Sequence, residues 1–499
     1  MTKIYAHITL LVTVLVTGGC AGLSHETRPT PTAAYTACTR LFDALDQSVQ
    51  NAGARDSEAA VIKGFPYLRV NRFLASFRDE ILSETAFQAW VVELQTLDRT
   101  ARKIEVSNLP EAERQNLRTS ASVVTPVGDL NSTVQHCGDV LREADLTEST
   151  QRDRLRSAAK VPAEYKSWQR VVGIYPFTAL AFAAGIRNWH NQTLEVFAKD
   201  IAALPVQGQL VQFVPPPAVN PLNHGDIAEI LKRSAQNPLQ IPQPNDADQA
   251  TLFAAFAPTL EIDVATDDDR IGAPVWGEEA YPLIDIRQPI VYPYLSHTRV
   301  AGQNLLQINY TFWFPARPKT GALDFLGGHV DGVTWRVTLT SDGQAWVYDS
   351  IHNCGCYHLF FPTRRAQLKP QPNTNEEQAF VPEEMPTLST GPTLRIAHQS
   401  HYLKRVLAEP TTSGEIKQYQ WANYDSLRSL PVQNNERRSL FRSDGIVPGS
   451  DRLERYFFWP MGIPHPGAMR ERGHHATAFV GRRHFDDPDL FEKAFELVP

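Results

Sequence analysis

This 499-residue chain has few cysteines, no block of basic residues and, after its first twenty residues, no long apolar run. The missing apolar run argues against a membrane-spanning helix of about 20 residues in the body of the protein. With a formal net charge of −7 and no Lys/Arg block, the sequence also lacks the basic surface by which proteins bind nucleic acids. The motifs H-E-x-x-H, G-x-S-x-G, the P-loop and G-x-G-x-x-G are missing, which removes the commonest zinc protease, serine hydrolase and nucleotide-binding classes.

The first twenty residues have the pattern of a bacterial lipoprotein signal peptide. Lys3 precedes an apolar run at residues 4–16, and small residues then lead to Cys20. This pattern predicts export, cleavage before Cys20 and lipidation of that cysteine. Thr17 stands where Leu is usual; an ordinary secretory signal is the alternative, and it too implies export. Because Ala21 rather than Asp follows the cysteine, we expect a lipid-anchored protein of the bacterial cell envelope, at the outer membrane and facing the periplasm.

Four of the five cysteines remain after Cys20, and export determines how we interpret them. Outside the cytoplasm, an even number of cysteines predicts disulfides. Cys38 and Cys137 both lie in stretches with helical periodicity, so a disulfide between them would link the first helix of the chain to a late one. For the C-x-C pair Cys354 and Cys356 we expect an oxidised or structural state, with metal binding and a nucleophilic thiol as alternatives.

The spacing of apolar residues divides the exported chain into a helical half and a strand-rich half. Up to about residue 203, apolar residues recur three and four positions apart, as on one face of a helix. After about residue 251 they alternate with polar residues, most clearly at 306–314, as in half-buried strands. We therefore expect an α+β fold, with an N-terminal helical domain followed by a mainly antiparallel, sandwich-like β domain. The predicted segments are a lipoprotein signal peptide (1–19), a lipidated tether (20–35), a helical domain (36–203), a proline-rich connector (204–250) and a β-rich domain (251–499).

Local patterns predict individual elements. Helical spacing is clear at residues 73–81, 171–186 and 226–234. Pro176 and Gly185 interrupt the second stretch, which therefore predicts a buried helix of a soluble domain rather than a membrane span. Ser341-Asp342-Gly343 predicts the turn of a hairpin that joins residues 333–339 to residues 345–348. Further strands are predicted at residues 260–263, 290–292, 357–361, 394–397, 456–459 and 476–480.

The densest group of reactive side chains is H-N-C-G-C-Y-H, at residues 352–358, shortly after the second hairpin strand. If this segment is extended, its alternate residues project from one face. Imidazole and thiolate groups are ligands that zinc prefers, although an i, i+2 pair on a straight strand does not converge on one ion. The segment predicts a site for zinc or another divalent cation, with a carboxylate as general base. The candidate ligands are His329, His352, Cys354, Cys356 and His358, and the candidate bases are Asp331 and Asp349.

Two resemblances add to these patterns. The stretch from Tyr310 to Trp335 resembles secreted β-sandwiches of the necrosis-inducing-protein group, whose central motif G-H-R-H-D-W-E supports a divalent cation. Gly328-His329 and, displaced, Asp331 and Trp335 correspond to that motif, whereas its second His and its Glu are missing here. The resemblance implies a cation role for His329 and Asp331. Through segments such as Y-D-S-I-H-N-C-G-C-Y-H, the whole chain resembles a proteobacterial lipoprotein family whose activity is not known, so it implies no reaction.

Two functional hypotheses follow from the sequence. In the first, the protein is a non-enzymatic envelope lipoprotein, anchored to the membrane through the lipid on Cys20, whose β domain binds an envelope protein or a glycan. In the second, it is an envelope hydrolase that uses a metal ion held by the histidines and cysteines named above. The sequence favours the first, because cysteines of exported proteins tend to be oxidised and are then lost as metal ligands.

Overall fold

The computed structural model describes residues 32–121, 129–217, 223–278, 280–321, 324–370, 374, 376–388, 391–411 and 414–498. The predicted signal peptide and Cys20 lie outside these residues. Within them the chain has the expected α+β fold, with helices first and mainly antiparallel sheets afterwards. None of the described helices is both long and apolar enough to cross a membrane.

The N-terminal part is a group of helices around one hairpin. Side-chain oxygens of Thr32, Ser83 and Asp129 accept hydrogen bonds from backbone N–H groups at the starts of three of the helices, which is the usual N-cap interaction. Apolar residues at helical spacing then form a common core. The elements are α1 (Ala33–Asn51), β1 (Ala60–Ile62), β2 (Phe65–Val70), α2 (Arg72–Ala75), α3 (Glu84–Asn108), α4 (Glu111–Ala121), α5 (Leu130–Asp145) and α6 (Ser149–Ala158).

The helix expected at residues 73–81 is wrong in length. Only α2, four residues long, forms there, and it follows the β1–β2 hairpin, which the sequence did not predict. Phe73, Leu74 and Phe77 are buried as expected, but Ile81 is fully exposed. Two turns of helical spacing are too short to distinguish a helix from a turn packed on a hairpin.

The predicted disulfide joins α1 to α5. Cys38 and Cys137 are bonded, with a Cα–Cα distance of 4.9 Å, and both side chains are fully buried. The bridge closes a loop of 99 residues, so it restricts the unfolded chain over most of the N-terminal part.

The segment predicted as a connector belongs to the folded core. Its strand β3 lies between two other strands of a sheet, and Val211 and Phe213 of this strand are buried. The prolines at 205 and 215–217 flank the strand and do not interrupt it, because a proline is disruptive only within a strand's hydrogen-bonded interior. The short helix expected at 226–234 is confirmed as α9. The elements here are α7 (Ser167–Val172), α8 (Tyr175–Phe197), β3 (Gln209–Val214), α9 (His224–Ser234) and α10 (Asp246–Ala255).

Two larger sheets dominate the rest of the chain and share one hydrophobic core. The strands are β4 (Thr259–Val264), β5 (Ala273–Trp276), β6 (Pro282–Asp285), β7 (Ile290–Val300), β8 (Gln303–Arg317), β9 (Gly328–Leu339), β10 (Ala345–His352), β11 (Leu359–Pro362), β12 (Ala366–Leu368), β13 (Thr393–Ile396), β14 (Leu403–Leu407), β15 (Glu415–Gln418), β16 (Gln420–Trp421), β17 (Leu430–Pro431) and β18 (Arg437–Arg438). Helices α11 (Arg455–Phe458) and α12 (Leu490–Ala494) and strand β19 (Phe495–Leu497) follow. One sheet has the order β11-β10-β9-β8-β7-β16, and the other has the order β14-β13-β4-β3-β15.

The predicted hairpin is confirmed. Strands β9 and β10 pair antiparallel, with Tyr348 opposite Val337, and Gly343 of the turn has a φ of +80°, which favours glycine. Two other strands are wrong. Residues 456–459 lie mainly in α11, and at residues 476–480 a single bridge joins Ala476 to His484. Short apolar runs without alternation do not distinguish strand from helix.

The single buried helix expected at residues 171–186 is wrong, because this stretch is divided between α7 and α8 and is largely exposed. Ala179 and Ala183 of α8 pack inward, whereas Phe177 and Leu180 point into solvent. Other side chains of α8 line a cavity, whereas α7 and the start of α8 present an outer apolar face.

Replacing both bridged cysteines, as Cys38→Ala/Cys137→Ala, should lower the free energy of unfolding by about 2–5 kcal/mol, because the long loop is no longer closed in the unfolded state. Urea unfolding followed by circular dichroism measures this. The control is Cys356→Ala, which removes a thiol that forms no disulfide; an equal loss in the control would contradict the role of the bridge.

Candidate functional site

A cavity of about 590 Å³ lies between α8 and the turn that follows β10. Residues of α8 form one wall, residues 354–358 form the floor, and residues near α11 and at 476–479 close the other side. The volume is within the range of about 300–1,000 Å³ typical of small-molecule sites. Apolar side chains prominent in the lining are Phe182, Ile186, Trp189, Phe380, Phe458 and Phe479.

The floor of the cavity is a tight turn, so the extended conformation that the sequence analysis considered for residues 352–358 does not form. His352 N–H donates to Cys356 O at 3.0 Å, and Gly355 N–H donates to His352 O at 2.7 Å. Gly355 has a φ of +89°, and a Cβ atom there would lie 2.5 Å from Ala476 O. Only glycine fits this position, for its backbone angle and for the close approach. The turn directs the four candidate ligands in different directions.

Cys354 and Cys356 are free thiols in the structure, so the expected oxidation of this pair is wrong. Cys356 N–H donates to Cys354 Sγ at 3.4 Å, and both sulfurs border the cavity. The hydrogen bond with Cys354, together with burial, holds the pKa of the Cys356 thiol well above its usual value. A thiol that stays protonated at neutral pH is a weak nucleophile and a weak metal ligand.

His358 is held by a buried ion pair. Arg336 Nε and Nη2 donate to the two carboxylate oxygens of Asp349 at 2.9 and 2.6 Å, and His358 Nε2 lies 2.8 Å from Oδ2. Burial would raise the pKa of Asp349, but Arg336 and His358 hold it below its usual value. Burial lowers the pKa of His358 to about 4, against the pull of Asp349, so the ring is neutral at pH 7. Asp349, a candidate base, therefore positions His358.

The second candidate base, Asp331, lies within a buried row of carboxylates and imidazoles. His401 Nδ1 is 2.8 Å from Asp331 Oδ2, and His352 Nδ1 is 3.7 Å from Oδ1. On its other side, His401 Nε2 is 3.6 Å from Asp269 Oδ1. Burial would raise the pKa of Asp331, yet His352 and His401 keep it well below its usual value. Burial would lower the pKa of His401, but Asp269 and Asp331 raise it above its usual value. For His352 burial has the larger effect, and its pKa is lowered.

The backbone around this row is strained. Val330, Tyr357, Gln399 and His401 all have φ angles between +51° and +59°, a region that L-residues adopt rarely and that β-branched residues avoid. Surrounding contacts hold such residues in place; for example, the ring of His401 stacks on Phe314 at 3.8 Å. The geometry of the row therefore depends on tertiary packing.

His329 lies apart from the other candidate ligands. Its Nε2 is 2.6 Å from Pro282 O, at the edge of β6. In the part of the chain that the structure describes, no group of three His, Cys, Asp or Glu side chains is placed to hold a metal ion. A zinc or other divalent cation site at His329, Asp331, His352, Cys354, Cys356 and His358 therefore stays a prediction.

A second, smaller cavity of about 180 Å³ adjoins the first. Trp189, Tyr357 and Tyr402 line both cavities. The smaller cavity is also lined by polar residues, among them Ser350, His352 and Lys404. His352 Nε2 is buried and has no hydrogen-bond partner among the described residues. The large cavity therefore adjoins a smaller one that contains a buried imidazole nitrogen without a partner among the described residues.

Two residues of the large cavity were missed by the sequence analysis. Burial raises the pKa of Glu454 to about 7, against the opposing effects of Arg452 and Arg317. Burial also lowers the pKa of His190 to about 4, and the ring of His190 stacks on Phe380 at 3.9 Å. Glu454 lies in the charged segment D-R-L-E-R, whose composition is typical of a solvent-exposed surface. His190 is a single polar residue in a helix with no other sign of a site.

Comparison of this chain with protein-family models, with curated proteins and with solved structures finds no match.

The raised pKa of Glu454 makes stability depend on pH. The folded state binds the proton up to about pH 7, whereas the unfolded state releases it near pH 4.5, so this stabilisation is full below pH 4.5 and is lost as pH rises through 7. Between pH 4.5 and 8 the wild type should therefore lose about 3 kcal/mol relative to Glu454→Gln. Urea unfolding of both proteins at several pH values measures this. The raised pKa of Glu454 would be contradicted if the difference in unfolding free energy between wild type and Glu454→Gln did not change with pH. It would also be contradicted if the exposed control Glu436→Gln showed the same pH-dependent difference from the wild type.

Proposed function

We propose that this protein is a lipid-anchored protein of the bacterial cell envelope that binds an amphipathic ligand with a long acyl chain. The apolar cavity under α8 is the observation that carries this proposal. Its volume of about 590 Å³ suits a small lipid, and each buried methylene of the ligand would gain about 0.8 kcal/mol. The proposal makes the first hypothesis from the sequence, a binding module, more specific.

The chemistry of the cavity wall also favours an uncharged ligand segment. Burial keeps His190 and His358 neutral at pH 7, since their pKa values are about 4, and the thiol of Cys356 is protonated. Arg483 lines the cavity too, but its guanidinium already donates to the carbonyls of residues 377, 378 and 477. A charged group would therefore be poorly solvated there, whereas an acyl chain needs no polar partner.

The smaller cavity supports an amphipathic ligand rather than a purely apolar one. His352 Nε2 is available as a hydrogen-bonding group, and Lys404 lies at the same cavity. Burial lowers the pKa of Lys404, which an anionic ligand group beside it would reverse. We place the polar group of the ligand in this pocket and its chain in the larger cavity.

Binding fits these residues better than turnover does. In the large cavity, His190 and His358 are neutral and the Cys356 thiol has a raised pKa, so neither these histidines nor this thiol is an activated nucleophile. Metal-assisted hydrolysis, the other hypothesis from the sequence, stays a prediction.

Filling the cavity tests the proposal. Gly185 lines the cavity, and nothing lies within 4 Å of a Cβ atom added there, so Gly185→Leu should place its side chain in the ligand space without disturbing the helix. We expect at least tenfold weaker binding of parinaric acid, a fluorescent long-chain fatty acid, measured by fluorescence titration.

Ala184→Leu is the matched control, because its neighbouring position on α8 is exposed and does not line the cavity. This variant should bind parinaric acid as the wild type does. Equal affinity in the wild type and both variants, or no binding by the wild type, would overturn the proposed function.

A further inference from the structure

An unusual concentration of large apolar side chains is exposed at the outer face of α7 and α8. Trp168, Val171, Val172, Ile174, Phe177 and Leu180 are each 54–78% exposed. We call these six residues the α7–α8 apolar surface. Single exposed apolar residues are normal on proteins, but a contiguous group of this kind marks an interaction site.

Polar contacts fix the two helices, so these side chains cannot turn inward. Arg170 Nε donates to Met461 O at 2.8 Å, and its Nη2 donates to Gly481 O at 2.6 Å. The hydroxyl of Tyr175 accepts a hydrogen bond from the N–H of Gly481 at 2.8 Å. The inner face of α8 is occupied by its own packing against Val480. The outer face is therefore a permanent feature of the fold.

Neighbouring α11 extends the exposed apolar area. Tyr456 and Phe457 are each more than half exposed, and the next residue, Phe458, contacts Phe182 of α8 with ring centroids 5.2 Å apart. Aromatic residues such as Trp168 and Tyr456 are typical of the boundary between lipid headgroups and acyl chains.

The charges beside this surface complement an anionic bilayer. Residues 165–194 include no Asp or Glu, but they include three basic residues, Lys166, Arg170 and Arg187. Lys166 and Arg187 are exposed. No described helix can span a membrane, so the helices would lie in the interface, with apolar residues inward and cations at the headgroups.

The chain outside the described residues is short enough to hold this surface at a membrane. Eleven residues separate the predicted lipidation site Cys20 from Thr32, where the described part begins. Fully extended, they reach about 40 Å. A tethered body of this kind meets the bilayer repeatedly, and a second weak membrane contact then adds to the anchor.

We propose that the α7–α8 apolar surface docks on the lipid bilayer, with its aromatic and aliphatic side chains among the acyl chains and Lys166 and Arg187 at anionic headgroups. This contact is separate from the lipid anchor. It does not require a ligand in the cavity, so the tests of the two proposals can fail independently.

The experiment uses the chain from Ala21, which lacks the signal peptide and the lipidation site and keeps every described residue. Val171→Ser/Phe177→Ser changes two of the most exposed side chains, so its fold should be unaffected. In co-sedimentation with vesicles of equal parts phosphatidylcholine and phosphatidylglycerol, we expect at least tenfold weaker binding than the wild type. Wild-type binding should also be weaker to pure phosphatidylcholine.

The matched control is Ile81→Ser/Ile416→Ser, which changes two exposed apolar residues elsewhere on the protein and should bind these vesicles as the wild type does. Both double variants should bind parinaric acid normally. Failure of the wild type to bind anionic vesicles, or equal binding by Val171→Ser/Phe177→Ser, would overturn the docking proposal. A dimer of the wild type in the absence of vesicles, measured by light scattering and absent from Val171→Ser/Phe177→Ser, would also overturn it. The surface would then join two copies of the chain.

Discussion

The attachment of α8 to the loops at residues 461–481 is the contact on which the cavity and the outer apolar surface both depend. Arg170 of the preceding helix α7 and Tyr175 at the start of α8 bind backbone groups of Met461 and Gly481. Ala179 and Ala183 of α8 pack against Val480. These contacts keep the middle of the helix over the turn at residues 354–358. One side of α8 is thereby left to line a cavity, and the other side is left exposed.

Burial determines the protonation states of the groups in and around the site. It keeps His190 and His358 neutral and the Cys356 thiol protonated, and it raises the pKa of Glu454 to about 7. The arginines nearby already have partners, as Arg336 has Asp349 and Arg483 has backbone carbonyls. A largely apolar wall can take up an acyl chain at little electrostatic cost. The free imidazole nitrogen of His352 supplies a hydrogen-bonding group to the adjoining pocket.

Much of the fold could be predicted from local patterns, but the site could not. The α+β order, the hairpin of β9 and β10, and the pairing of Cys38 with Cys137 all follow from periodicity, turn residues and export. The patterns failed where neighbours distant in the chain decide the outcome. Strand β3 forms inside a proline-rich segment because β4 and β15 flank it, and the turn at Gly355 forms against Ala476. The candidate ligands at residues 352–358 are close in the sequence, yet His352 lies beside Asp331 whereas His358 binds Asp349.

The sequence by itself determined what depends on near neighbours: the order of helices and strands, the periodicity of the strands and the hairpin turn at Gly343. Only the tertiary structure decided which groups meet. Asp331 and His401 are 70 residues apart, and no spacing rule relates them, because their distance depends on how separate strands and loops pack. The same holds for residues 168–180: their apolar character is a property of the sequence, but their exposure depends on which side of α8 the rest of the protein covers.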